Sequence, residues 1–168
     1  MERLKLTGVG EGLSVVVSTI IAGADKPTVI LETVQNIFPS FSSEIPEDAT
    51  FPVERNIIIA DENVKLDTFL EILIEQRTLD TALDSMSALL EDDSTMFNIS
   101  RQAAMSGKVS FVVTDKLVLG GVITVEISGN DLANWLEAAT WHSGRETIPR
   151  HVRDDYSMRD DGEAVTWH

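Results

Sequence analysis

The sequence contains no cysteine, which excludes a disulfide framework, a thiolate zinc site and a cysteine nucleophile. Histidine is nearly as scarce: His142, His151 and His168 are its three, all within the last 28 residues. A Ser-His-Asp triad or a histidine-bound metal would require that end to fold back over the rest of the chain. Cations are few, with 13 Lys and Arg against 28 Asp and Glu, and only five of the thirteen are Lys. The resulting formal charge of −15 disfavours nonspecific attraction to nucleic acid or to an anionic membrane. No apolar run reaches the roughly 18 residues that a membrane-spanning helix needs. Leu13 to Ile21, behind Arg3 and Lys5 and ahead of Ala22-Gly23-Ala24, imitates a secretory signal. Glu2 and Glu11 spoil its basic flank, however, and Ser14, Ser18 and Thr19 interrupt it. It reads as a buried strand, and a cytoplasmic protein is expected. Gly8, Gly10 and Gly12 precede that strand with no Gly-Lys-Ser/Thr after them, so they lack the context of a phosphate cradle.

What is present suits one folded domain. A chain of 168 residues with 43% hydrophobic and 24% charged residues has an ordinary globular composition, and a domain of that size buries roughly 70% of the surface its unfolded chain exposes. The acidity is spread through the body: residues 1–140 hold nine cations against 22 carboxylates, and the last 28 hold four against six. Screening in a salty cytoplasm would make such self-repulsion tolerable.

Hydrophobic periodicity orders the elements. A strand over residues 12–22 is followed by a helix with Pro27 in its first turn, capped by Asp25 and ended by Pro39. Ile30, Val34, Ile37 and Phe38 share its apolar face. Residues 41–52 suit an irregular or edge strand, and Arg55 to Ala60 a β-branched strand. Asn63 reads as the cap of a helix bearing Leu66, Phe69, Leu70, Leu73 and Ile74 on one face. A second periodic set, Leu79 to Leu90, either continues it or restarts at Thr78. A strand over Met96–Ile99 leads to a short helix over Arg101–Ser106, capped by Ser100 and stopped by Gly107. Val109–Val113 and Leu117–Ile127 form a hairpin, with Gly120-Gly121 a bulge or close-approach point. Asn130 then caps a helix carrying Leu132, Trp135, Leu136 and Ala139. This order predicts an α+β fold, a mixed or antiparallel sheet with helices packed on one face. Residues 1–140 form the domain, and 141–168, polar and without period, an acidic mobile tail.

Little of this chemistry is catalytic. Asp80 and Asp84 lie one turn apart on a helix and have the spacing to hold a hard cation, but acidic helix faces are commonplace in so negative a chain, and neither a metal nor a cofactor is expected. Ser94 to Val125 differs: Arg101, Lys108 and Lys116 face only Asp115, a local balance of +2. Guanidinium, amide and ammonium donors together suit phosphate and base-edge contacts.

Three stretches carry a resemblance. Thr33-Val34-Gln35-Asn36-Ile37-Phe38-Pro39, Glu75-Gln76-Arg77-Thr78-Leu79-Asp80-Thr81-Ala82 and Phe97 to Phe111 resemble the archaeal uncharacterised protein family 0201. Its signatures Gln-Arg-x-Leu-Asp-Thr-Ala and Gln-Ala-Ala-x-x-Gly-Lys are both here, and the resemblance spans about residues 12–140. It implies an α+β fold like that of the large-subunit ribosomal protein that binds 5S ribosomal RNA, and with it a non-catalytic RNA-binding function. Carried over by motif, Arg77, Arg101 and Lys108 would hold phosphates, and Gln76 and Gln102 would contact bases or ribose hydroxyls. Two positions depart from the family: Leu83 stands where an arginine is usual, and Ser100-Arg101-Gln102 replaces Asn-Lys-Gln. The expected partner is RNA, structured RNA included, with no membrane. The alternative is a protein-interaction or regulatory module, joined to a protein partner or a second copy. Some family members resemble fusions with a nucleotide-kinase-like domain, which would associate that module with nucleotide or coenzyme metabolism.

Overall fold

Alternation along the strands builds a sheet with one buried and one open face. In β1 (Leu13–Gly23), Val15, Val17, Thr19 and Ile21 are buried, while Val16, Ser18 and Ile20 point the other way and remain accessible. The computed structural model describes residues 6–45, 53–113 and 120–152. They fold as β1, α1 (Pro27–Ile37), β2 (Val53–Glu62), α2 (Asp67–Gln76), α3 (Leu79–Ser87), β3 (Ser94–Ser100), α4 (Arg101–Met105), β4 (Phe111–Val112), β5 (Val122–Gly129) and α5 (Leu132–Ala139). A final 3-10 turn covers Ser143–Glu146. The sheet order is β2-β1-β5-β3-β4, and every adjacent pair is antiparallel. The fold is α+β, as expected. No helix among the described residues is long and apolar enough to cross a membrane.

The core lies between the helices and the buried face of the sheet. Phe69 of α2 stacks on Phe38 at 5.5 Å and on Phe97 of β3 at 5.9 Å, and meets Phe111 of β4 edge-on at 6.3 Å. Leu73, Leu83, Ile99, Ile123, Val125 and Leu136 are fully buried around them.

Several helix starts differ from the sequence expectation. Ser100 does cap α4, accepting from Ala103 N at 3.2 Å. Asp25 does not cap α1; its carboxylate accepts from Ala22 N at 3.0 Å and pairs with Arg101, so Lys26 takes the cap position. Asn63 sits in a left-handed turn after β2, and α2 begins at Asp67, leaving Leu66 buried at the cap. Asp131 rather than Asn130 precedes α5. The open question between α2 and α3 resolves as a restart. Arg77 adopts a left-handed φ of 58°, and the N–H groups of Arg77 and Thr78 close back onto Ile74 O and Leu73 O at 3.1 Å each. The last strand starts later than expected, at Val122, with Gly120 and Gly121 ahead of it in positive φ, and it does not form the expected hairpin: β3 lies between β4 and β5. Of the expected segments 41–52 and 117–127, residues 46–52 and 117–119 lie outside the described residues.

Residues 141–152, placed by the sequence in a mobile tail, lie against α3 and α5. Arg145 is buried: Nε donates to Asp80 Oδ1 at 3.0 Å and Nη1 to Glu137 O at 3.0 Å. Arg150 pairs with Asp84, and Val152 N donates to Glu137 Oε1 at 2.8 Å. Packing therefore continues past residue 140. The attraction is electrostatic, basic side chains laid on an acidic helix, and so leaves no hydrophobic period to find. The rest of the expected tail, 153–168, lies outside the described residues.

Candidate nucleic-acid interface

The five residues singled out by sequence separate into three environments. Arg101, at the start of α4, is a buried strut. Nε donates to Gly120 O at 2.7 Å, Nη1 to Ile20 O at 2.5 Å and Thr19 Oγ1 at 3.2 Å, and Nη2 pairs with Asp25 at 3.0 Å. Its side chain is only 7% exposed. The guanidinium thus joins β1, the α1 approach and the turn before β5, and a phosphate could reach it only by displacing those partners. This corrects the expected phosphate role: a planar fork of five donors is as well suited to gathering backbone carbonyls as to gripping an anion. Gly121 is fitted to the same strut. A Cβ there would lie 2.6 Å from Arg101 Nη2, so the Gly-Gly pair is a close-approach point and not a bulge.

Gln76 ends α2, and its amide is fully engaged. Nε2 donates to Val109 O at 2.9 Å, and Oε1 accepts from Val109 N at 2.8 Å. The side chain thereby imitates the paired bonds of a neighbouring strand, and its expected base contact gives way to this clamp. The clamp has a consequence for charge. Arg77 follows Gln76 and Lys108 precedes Val109, so the clamp joins the two segments that carry these cations. Both are exposed, and neither pairs with a carboxylate among the described residues. Asp80, the obvious partner for Arg77, is engaged by Arg145 at 3.0 Å, and His142 Nε2 lies 3.0 Å from the same oxygen. Gln102 is exposed on α4, its Cβ side toward Gly120. The structure thus brings Gln76, Arg77 and Lys108 together, leaves Gln102 on the neighbouring helix, and buries Arg101.

Asp80 and Asp84 do lie on one helix face, but both are ion-paired to arginines of the 141–152 segment. Among the described residues no group of three or more potential metal ligands forms. Burial alone would raise the Asp80 carboxyl. Hydrogen bonds from His142 and Arg145, with the charges behind them, outweigh it and hold the group below its ordinary 3.8. The sequence reading missed Arg145 and Arg150. The available signal was charge patterning: two arginines five apart, in a segment otherwise without period, against two aspartates one helical turn apart.

The solved structure of a UPF0201 protein from Methanococcus jannaschii shares this fold, with a TM-score of 0.64 and 20% identity over 76% of this chain and 99% of that one. No family model matches the chain. In sequence, a UPF0201 protein of Methanothermobacter thermautotrophicus is 27% identical over 134 residues, 80% of this chain and 93% of that protein. Another, from Metallosphaera sedula, is 28% identical over 131 residues, 75% and 88% of the two. In sequence and in fold the chain resembles the archaeal UPF0201 proteins. UPF0201 denotes a family without an assigned activity, so the function is argued from this chain's own residues. The motifs behind the resemblance prove largely architectural. Gln35 donates to Phe41 O at 3.0 Å, Asn36 to Ala104 O at 3.1 Å, and Gln76 and Arg101 bind backbone as described. Leu83, in the place of the family's arginine, is fully buried.

Proposed function

We propose that this protein is a non-catalytic RNA-binding protein whose contact centres on Arg77 and Lys108 and extends to the exposed Gln102. The supporting observation is the Gln76–Val109 clamp, which ties together the two segments that carry the exposed Arg77 and Lys108 in a chain of net charge −15. Arg77 offers a bidentate fork for one phosphate and Lys108 a point charge for the next. The surrounding acidity opposes loose electrostatic binding, so contact depends on this local pair and is weak, with the modest salt dependence of two phosphate contacts. The open sheet face is not part of the interface. Its described residues include Val16, Ser18, Ile20, Thr124, Glu126, Met96 and Asn98, and among the described residues of these strands no aromatic ring faces that side for a base to stack on.

The test is fluorescence anisotropy with labelled structured and single-stranded RNA across a salt series, on wild type and on Arg77→Gly/Lys108→Ala. Glycine suits the left-handed conformation at position 77, so the variant removes charge without straining the fold. Wild type should show log affinity falling with log salt, and the double variant a slope shallower by about 1.4–1.8, two phosphates' worth. Absence of binding at low salt in folded wild-type protein would refute the reading.

One observation favours the alternative interaction module. Ile58 and Ile20, 70% and 51% exposed, are direct cross-strand neighbours on the open face. Such a pair is the natural centre of a protein contact, with a different chain or a second copy.

A further inference from the structure

A cleft of about 340 Å³ opens where α2 breaks into α3, walled by Ile74, Arg77, Leu79, Asp80, Thr81 and His142. That is the small end of the range for small-molecule sites. Its walls divide by chemistry. Ile74 and Leu79 give an apolar floor, and Thr81 an exposed hydroxyl. Asp80 carries a charge, but the buried Arg145 and the His142 ring share its Oδ1. Arg77 is the uncompensated member: with Arg145 behind Asp80, two guanidinium groups stand against one carboxylate. Against a chain at −15 that reversal of sign is local and specific. Between Arg77 and Leu79, Thr78 holds a buried Oγ1 without a hydrogen-bond partner, alone in this among the described residues, and it does not cap α3. Thr78 does not itself line the cleft and makes no part of the site.

We infer that this cleft binds a phosphomonoester of a nucleoside, its phosphate on Arg77 and Thr81 and its base or ribose over Ile74 and Leu79. Arginine supplies the bidentate fork that phosphate favours, and the volume exceeds what inorganic phosphate alone would fill. Asp80 Oδ2, left free by the bonds to Oδ1, is an acceptor for a ribose or exocyclic donor. Free mononucleotide and the phosphorylated end of an RNA strand share this chemistry. The inference does not require the RNA contact to exist, because Lys108 does not line the cleft.

The experiment is an NMR titration of the full chain with AMP, adenosine, inorganic phosphate and a 5′-phosphorylated tetranucleotide. AMP should shift the amides of residues 74–81 and 142 saturably, with adenosine and phosphate each at least tenfold weaker. Thr81→Glu should abolish the shifts. It places a carboxylate in the cleft at an exposed position in the first turn of α3, where an acidic side chain suits the helix dipole, so α3 is retained. Arg77→Gly should weaken AMP at least tenfold, and Lys108→Ala should leave it unchanged. AMP tighter than the tetranucleotide assigns the site to the free nucleotide, and the reverse order to an RNA terminus. No saturable shift at these amides, or AMP affinity unaltered in both Thr81→Glu and Arg77→Gly, overturns the inference. RNA binding lost while AMP binding persists would refute the RNA reading alone.

Discussion

Arg101 and Arg77 show how differently two arginines of one chain can be used. At Arg101 desolvation is tolerable because Asp25, two carbonyls and a threonine hydroxyl gather round the fork, and Gly121 lends the space. Removing one partner of such a pair leaves the others unsatisfied. Arg101→Met should therefore lower stability by about 3 kcal/mol, the low end of the range for a broken buried pair because Asp25 keeps 27% exposure. A urea titration measures it, and RNA affinity per folded molecule should not change. If instead stability holds and RNA binding falls, Arg101 is a contact residue after all. Arg77 is the opposite case: an exposed cation held in a left-handed turn, where glycine would relieve about 1 kcal/mol of backbone strain.

At the scale of elements, the decisive contact is between α3 and the segment after α5. Asp80, Asp84 and Glu137 receive Arg145, Arg150 and the Val152 amide, so residues 141–152 are strapped across two helices. The strap brings His142 to the cleft and takes Asp80 away from Arg77. Since the Asp80 carboxyl is held below 3.8 in the folded protein, its contribution is complete above that value. It is lost as pH falls through the lower, folded-state value. Amide protection of residues 141–152, measured against the exchange rate of an unfolded chain at each pH, should therefore fall below pH 3.8 in wild type. In Asp80→Asn the strap should already be less protected at neutral pH and lose less protection than wild type on acidification, the remaining loss coming from Asp84 and Glu137. Equal acid sensitivity in both would show that Asp80 does not anchor the strap.

Across the whole molecule, charge is the governing quantity. A net −15 on one domain opposes compaction, and salt screens that repulsion, the Debye length shrinking from about 30 Å at 0.01 M to about 3 Å at 1 M. Raising KCl from 0.01 to 1 M should thus raise the urea midpoint, although the strap's ion pairs are screened as well. A falling midpoint would mean that those pairs outweigh the general repulsion. The same charge confines any polyanion to places where carboxylates are already neutralised. Arg77 meets that condition because Arg145 and His142 take up Asp80.

The order of strands and helices was legible in residues 12–139, because period-2 and period-3.6 patterns report burial directly. Phe69, Leu70 and Leu73 of α2 and Leu132 and Leu136 of α5 are buried as their spacing requires. The family motifs were legible too, as strings. Their roles were not, since a motif records which residues occur and not what they touch. Whether Arg101 faces solvent or Asp25 depends on a partner 76 positions away, and whether Arg77 is free depends on Arg145 reaching Asp80. Caps failed for the same reason: Asp25 had the local chemistry to cap α1, but a distant guanidinium competed for its carboxylate. Local sequence thus determined the elements and the apolar core, whose energetics follow burial. Only the tertiary structure decided which polar side chains bind one another and which remain for a ligand, because such pairings are made between segments far apart in the chain.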